Sequence, residues 1–541
     1  MRADWALALP AFVYLTVFPW LPELRSPNEL CRLHQAAALV DHRTFEINDV
    51  LRERGWAGDL SCVAVARDAH GAVEERRACP EVRGQARFRE EHFFPSKAPL
   101  LSVAAAPVYA ALEVLRAPVP ENALVFFGRL FCTVLPAVLL LVLVRRFLRA
   151  QVPEPVADAL TAAYALGTLA FSYAELFMSH QSAAVLLFCC FYALWRLGRG
   201  DWRPRGYLLA GLLAGLTVAA EYTAALGLVP LAAYALWTAP GGRRGKLSAT
   251  GLAVVGVLPI ALLLAAYHQV AFGHPLHSGY KYLNDAGYQG WHVGGFLGIK
   301  WPDPRAFALS FFSPLRGLFM LSPFLMLALP GFAPKFWTKE RRPELALGVA
   351  TLALYTYFTS SFSYDSWGWT TGPRHLTPLV PFLLLPAALV AAECRGRPLR
   401  SGAVAGLVAL SILSTSAMTF LDYIPDSLTN ALYQVALPFL ATGHLPQTWF
   451  SLAGIPNPWA ALPLLAAVVA AAALCARALL SPEGWKRAAA TSAACALAFA
   501  LGHSLIGPRD DAARARDEGT YKFLEERYVP RPGHASPPLF P

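Results

Sequence analysis

The stretch Ala123–Val144 reads ALVFFGRLFCTVLPAVLLLVLV, and Arg145-Arg146-Phe147-Leu148-Arg149 follows at once. Its 22 residues carry one charge, Arg129. As a helix such a run covers about 33 Å, enough for the ~30 Å hydrocarbon core of a bilayer. The arginine cluster behind it marks a cytoplasmic end, because Lys and Arg accumulate on that side of short membrane loops. A span with a defined direction is therefore the unit from which to read the rest.

The unit recurs. Comparable runs lie near 4–22, 123–144, 156–174, 181–197, 206–220, 222–238, 248–268, 317–333, 344–360, 376–392, 402–420, 459–476 and 488–506. The whole chain of 541 residues is 56% apolar and 15% charged, with a mean hydropathy of +0.41. A soluble domain carries about 25% charge and 45–50% apolar residues. The composition thus predicts an all-α polytopic membrane protein of about 13 transmembrane helices. The first run ends in Trp20-Leu21-Pro22 without a small-residue cleavage site, so it reads as a retained anchor.

The net charge of +10 would suit a nucleic-acid binder, but the basic residues sit between the apolar runs and form no stripe. They follow topology. One set of alternating loops, with Arg2, holds 21 Lys and Arg; the opposite short loops hold five, namely Lys281, Lys300, Arg305, Arg316 and Arg374. The basic set is cytoplasmic, which places the N-terminus inside and the C-terminus outside. With the first long loop taken as external, the segments 23–122, 269–316 and 421–458 lie on that face, joined by a tail from 507. The tail, with its proline-rich end Tyr528–Pro541, is expected to be disordered. A core of 1–420, a C-terminal membrane region of 421–506 and the tail 507–541 are the expected divisions.

Residues 99–115 remain open between a short span and an interfacial helix, since Pro99 and Pro107 interrupt an otherwise apolar run. The loop 23–97 has 12 basic and 13 acidic residues, and loops of that length escape the charge rule. Of nine cysteines, Cys132, Cys189, Cys190, Cys475 and Cys495 fall in apolar runs, where cysteine acts as a small hydrophobe. Cys62 and Cys79, in a polar stretch, are compatible with a disulfide and an oxidising compartment. There is no internal repeat, glycine-rich phosphate loop or metal-type His/Cys spacing, which argues against a P-loop ATPase or a Rossmann enzyme.

Ionisable residues at span ends are costly and so are candidates for function. Glu29 follows the first span in Ser26-Pro27-Asn28-Glu29-Leu30-Cys31-Arg32, at the head of a segment patterned as an amphipathic helix lying on the membrane. It fits a proton acceptor, a ligand for a divalent cation, or an ordinary first-turn acid matching the helix dipole. Lys97, before the 99–115 segment, fits a phosphate contact or a snorkelling lysine. Arg129 lies inside a span and wants a partner. Glu175 and His180 bracket one short external loop, and Glu221 forms the tip of another. Tyr280 follows His274 and His277, and Arg316 opens a span. The stretch Tyr364–His375 carries Asp365, Arg374 and His375 among tryptophans and a tyrosine. Arginine forks suit phosphate oxygens, and the aromatic residues suit either the membrane interface or a sugar ring.

Asn28-Glu29, Lys97-Ala98-Pro99-Leu100 and Arg129-Leu130 occur in that order, and Gly372-Pro373-Arg374-His375-Leu376-Thr377-Pro378 follows much later. In this the chain resembles the GT-C superfamily of membrane glycosyltransferases, in particular the group of protein O-mannosyltransferases and bacterial lipid A aminoarabinose transferases (glycosyltransferase family 39-like). The resemblance covers about residues 1–420. It implies that 98–116 is interfacial, that loop 23–97 is external, and that the protein sits in a bacterial inner membrane with its active site facing the periplasm.

It further implies inverting transfer of a sugar from a polyprenyl-phosphate donor to an acceptor hydroxyl. Glu29 would serve as base, Lys97, Arg316 and Arg374 would hold the donor phosphate, and a divalent cation, if one is used, would sit at Glu29. Asn28, Arg129, Glu175, His180, Glu221, Tyr280, Asp365 and His375 are accessory candidates. Two departures stand out: Asn28 where the family often has Asp, and Lys-Ala-Pro for its Lys-Pro-Pro. A lipid or glycan flippase would instead place charges along a mid-membrane path, and a structural subunit of an envelope assembly would leave Glu29 dispensable.

Overall fold

A computed structural model of the chain describes residues 4–18, 26–293, 295, 298–362, 368–421 and 424–527. Six of its helices are long and apolar enough to cross a membrane: Glu121–Arg149, Ser179–Gly198, Gly242–Phe272, Arg374–Cys394, Pro398–Thr419 and Leu462–Leu479. Trp5–Thr16, Leu100–Leu115, Gly206–Ala220, Tyr222–Thr238 and Leu432–Ala441 are apolar but shorter. Gly242–Phe272 runs 31 residues, and only 11% of its most apolar window is buried, so its apolar surface faces outward as a lipid-facing helix does. The chain is a multi-pass membrane protein.

The opening stretch forms one helix from Glu121 to Arg149 with a wide turn over Leu130–Val134. Pro136 causes the turn, because it has no N–H and its ring crowds the carbonyl four residues back. That freed carbonyl, of Cys132, accepts the Ser182 hydroxyl at 3.2 Å. At the far end Arg145 donates to Asp158 and Asp4, both at 2.8 Å, and Arg149 to Asp158 at 3.0 Å. Small residues let helices meet closely: a Cβ on Gly211 would stand 2.0 Å from the Ala253 carbonyl oxygen, and one on Gly256 2.1 Å from that of Leu208.

Two expected spans are broken. The 156–174 run divides into Glu154–Leu166 and Leu169–Ala174, because Gly167 closes on the backbone of Pro398–Thr419 and the Thr168 hydroxyl caps the new start. The 317–333 run becomes Leu318–Leu321, a 3-10 turn Pro323–Leu327, and Ala328–Gly331. Pro323 and Pro330 each remove a helical donor. Neighbouring hydroxyls meet the backbone groups so released: Ser411 accepts from Phe324 N–H at 3.1 Å, and Thr415 donates to the Leu321 carbonyl at 3.0 Å.

The loop after the first helix is not all helical, contrary to the all-α expectation. Strands Val73–Ala78, Leu60–Arg67 and Glu90–Pro95 form an antiparallel sheet in that order. Leu60–Ala66 is an apolar run rich in strand formers, and the Asp68 carboxylate shapes the following turn by accepting from His70 and Ala72 N–H. Cys62 and Cys79 are joined by a disulfide. Its 17-residue separation predicts that Cys62→Ser/Cys79→Ser lowers unfolding stability by about 3 kcal/mol, read as an earlier thermal transition of the purified protein. An unchanged transition would mean that the sheet holds without the bridge.

The helix Pro27–Asp41 is also not a surface helix. It packs on Leu100–Leu115 with Cys31, Leu33 and Ala36–Ala38 buried, under one face of the sheet's loop. Leu100–Leu115 is 16 residues, about 24 Å and short of a bilayer crossing. Nor is the tail disordered throughout: Asp511–Arg527 is a helix whose Leu524 is buried, whose Phe523 meets Trp369, and whose Asp517 accepts from Gln434. Apolar contacts on one side order it despite its polar composition. Residues 528–541 lie outside the described residues.

Candidate functional site

Asp59 and Lys97 are 38 positions apart and meet because of strand register. Leu60 pairs with Pro95, so the residues just outside the two strand ends face each other. The Ser96 N–H donates to the Asp59 carbonyl at 3.0 Å, and Lys97 Nζ stands 3.4 Å from Asp59 Oδ2. Gly58 lets the chain pass close to the helix start at Pro27, where a Cβ would come within 2.9 Å of the proline. Asp59 itself has φ +57°, in the left-handed region that costs a non-glycine residue about 1 kcal/mol.

These residues edge a cavity of about 1000 Å³. Its polar wall includes Asn28, Asp59, Lys97, His180, Glu221, Tyr280, His292, Arg374 and His375. Apolar side chains line it as well, among them Leu226, Val229, Phe358 and Phe362. Val229 is 64% exposed, so the apolar lining extends to an exposed side chain.

Lys97 lies over the Tyr280 ring, 5.2 Å from its centroid, and Tyr280 stacks on His292. Burial works against the Lys97 charge, but Asp59 together with smaller contributions from Tyr280 and Cys31 overcomes it and raises the ammonium above its usual range. Burial likewise opposes the Asp59 charge, while Lys97 and Arg374 overcome it and hold the carboxyl below its usual range. Both groups are therefore ionised. Arg374 begins the helical segment that ends at Cys394; its Nε is buried without a hydrogen-bond partner, and no ion pair holds it among the described residues.

On the adjoining wall Glu221 accepts from Ser179 Oγ at 2.6 Å and from Thr223 Oγ1 at 3.2 Å, and His180 Nδ1 is 3.8 Å away. Ser179 Oγ in turn accepts from Arg32 at 2.8 Å. Arg32 is 1% exposed and also donates to the backbone and side-chain oxygens of Asn28. Thr223 Oγ1 lies 3.3 Å from His375 Nδ1, and the His375 ring meets His180 edge to face. Of the residues singled out in the sequence, Asn28, Lys97, His180, Glu221, Tyr280, Arg374 and His375 thus converge on one cavity.

The others do not. Glu29 is fully buried away from the cavity: Arg129 donates to Oε1 and Oε2, each at 2.9 Å, and the Phe177 N–H donates to Oε1 at 2.5 Å. A guanidinium fork occupies both oxygens, so the arrangement does not fit a base or a divalent cation at Glu29. Arg129 is spent on the same pair. Arg316 is 3% exposed, donates to the Gly368 carbonyl at 3.4 Å, and does not line the cavity. Glu175 is buried off the cavity wall. Asp365 lies outside the described residues. Among these residues the one cluster of three metal-type side chains is Cys62, Cys79 and Glu91, whose cysteines are bonded to each other. Asp59 is not among the residues singled out in the sequence: Gly58-Asp59 is compatible with a turn, but only the strand register shows where the carboxylate goes.

No family model matches the chain, and no curated protein matches it. Among solved structures the chain is similar to the crystal structure of ArnT from Cupriavidus metallidurans bound to undecaprenyl phosphate. The two share 15% identity at a TM-score of 0.45, over 92% of this chain and 76% of that one.

Proposed function

We propose that the chain is a membrane glycosyltransferase that takes a sugar from a polyprenyl-phosphate donor and passes it to an acceptor hydroxyl at the external face, with inversion. The observation that carries this reading is Arg374: its Nε is buried without a hydrogen-bond partner, no ion pair holds it among the described residues, and it shares with Lys97 a cavity whose apolar lining extends to the exposed Val229. A phosphate joined to a long hydrocarbon matches that combination. The chain would slide in past Leu226 and Val229, and the phosphate would meet the two cations.

Phosphate leaves readily when its developing charge meets fixed cations in a site shielded from water. Lys97 supplies a compact charge and Arg374 a planar fork, and both are in place before the donor arrives. Attack from the face opposite the leaving phosphate is a single displacement and inverts the anomeric centre. We read the membrane arrangement as 13 crossings with the N-terminus inside and this cavity outside, on the strength of the Lys/Arg distribution. No step is assigned to a metal.

The test is transfer or hydrolysis in proteoliposomes loaded with radiolabelled polyprenyl-phosphate sugars. Release of the sugar from at least one donor by the wild-type chain is expected. Failure of every donor to bind would remove the proposal.

A further inference from the structure

Four carboxylates border the cavity among the described residues, and their situations differ. Glu221 has both oxygens engaged by hydroxyls. Asp285 accepts from the Tyr288 N–H at the start of its own helix, and Asp426 is exposed on a loop. Asp59 alone is held by a cation of the phosphate locus, and loosely: at 3.4 Å the contact with Lys97 is longer than the 2.7–2.9 Å of a close charge-assisted bond. Its side chain keeps 32% exposure.

Its backbone points the same way. The left-handed conformation would suit glycine or asparagine better, and the fold imposes it through Gly58 against Pro27 and the Ser96–Asp59 backbone bond. The turn and the Ser96 bond together hold the carboxylate at the cavity edge. The alternatives in the motif after the first helix are closed: Asn28 carries an amide bound by Arg32, and Glu29 is locked to Arg129.

We propose that Asp59 is the carboxylate that receives the acceptor's proton, and that the donor phosphate releases it for this role by taking over Lys97. The proposal rests on the transferase reading above. In the resting protein Asp59 neutralises Lys97. An arriving phosphate pairs with Lys97 and Arg374, and Asp59, now next to an anion, becomes the stronger base. The acceptor O–H proton passes to an Asp59 oxygen while the hydroxyl oxygen's electron pair forms the bond to the anomeric carbon. The bond from that carbon to the phosphate oxygen breaks, and its pair stays on the phosphate. Asp59 then yields its proton to water or the departing phosphate and returns to Lys97. Donor loading thus switches the base on, which limits wasteful proton transfer in the empty cavity.

The test uses the full chain in nanodiscs, with radiolabelled undecaprenyl phosphate as binding probe and radiolabelled polyprenyl-phosphate sugars as donors. Asp59→Asn should lower transfer by on the order of 10²–10⁴-fold. It should also bind undecaprenyl phosphate roughly two- to fivefold more tightly, since the long, competing ion pair with Lys97 is gone. Asp59→Gly, which suits the backbone, should be equally inactive. Turnover of Asp59→Asn within tenfold of wild type overturns the base, and binding that is unchanged or weaker overturns the exchange at Lys97. If wild type binds the probe but turns over no donor tried, the affinity comparison still decides the exchange. A wild-type chain that does not bind the probe contradicts the transferase reading itself.

Discussion

Arg129→Met is expected to cost about 3–5 kcal/mol of stability, because it leaves the Glu29 carboxylate charged and buried with its main partner gone. Against a total of about 5–15 kcal/mol for a folded protein, that is enough to abolish recovery of monodisperse protein. Glu29→Gln is expected to lose stability by the same logic, with Arg129 as the stranded charge. The double variant Glu29→Gln/Arg129→Met should recover part of the loss, since removing both charges removes the uncompensated one. Thermal unfolding and size-exclusion profiles of the three proteins check this. If Glu29→Gln instead unfolds like wild type and loses transfer selectively, the pair is catalytic after all and the assignment to Asp59 fails with it.

The second large effect falls on turnover. Arg374→Ala should reduce kcat/KM by on the order of 10²–10³-fold, the usual cost of removing one fixed group that meets charge in the transition state. Lys97→Ala should do the same, and the double variant should fall to background. Arg374 has no ion-pair partner among the described residues, so its removal strands no buried charge and the protein should fold normally. Arg374→Lys keeps the charge but loses the fork, and should recover only part of the activity. Arg316→Ala provides the contrast. Its side chain is buried against the Gly368 carbonyl and does not line the cavity, so its effect should appear in stability before turnover. Equal and purely catalytic losses for Arg316→Ala and Arg374→Ala would return Arg316 to the phosphate site.

The helices that could be read from sequence are those whose apolar runs are uninterrupted. Glu121–Arg149 and Gly242–Phe272 are evident because their apolar runs are long, and Pro136 and Pro259 each disturb a turn without ending the helix. The run at 317–333 has the same composition but contains Pro323 and Pro330, and hydropathy does not register a lost hydrogen-bond donor. The sheet in the first long loop escaped because its middle strand, Leu60–Arg67, is buried on both faces and shows no polar alternation. Helix 511–527 escaped because its order comes from Phe523 and Leu524 meeting the bundle, not from its polar sequence.

The site was legible by type and not by place. Lys97 and Arg374 stood out because cations on the external face run against the charge rule, and both reach the cavity. Glu29 stood out as an ionisable residue directly after the first span, but its partner lies 100 positions away, and spacing cannot show that a carboxylate is already taken. Asp59 was hidden among the 13 acids of a long loop, and its position depends on the pairing of Leu60 with Pro95.

Transfer in this cavity requires that a polyprenyl phosphate bind there. The most direct measurement is a cryo-electron-microscopy map of the full chain in nanodiscs with undecaprenyl phosphate. The expected result is phosphate density within hydrogen-bond distance of Lys97 Nζ and the Arg374 guanidinium, with the hydrocarbon leaving along Leu226 and Val229 and Asp59 displaced from Lys97. Lipid phosphate seated away from both cations, or a cavity left empty at saturating lipid, would contradict it.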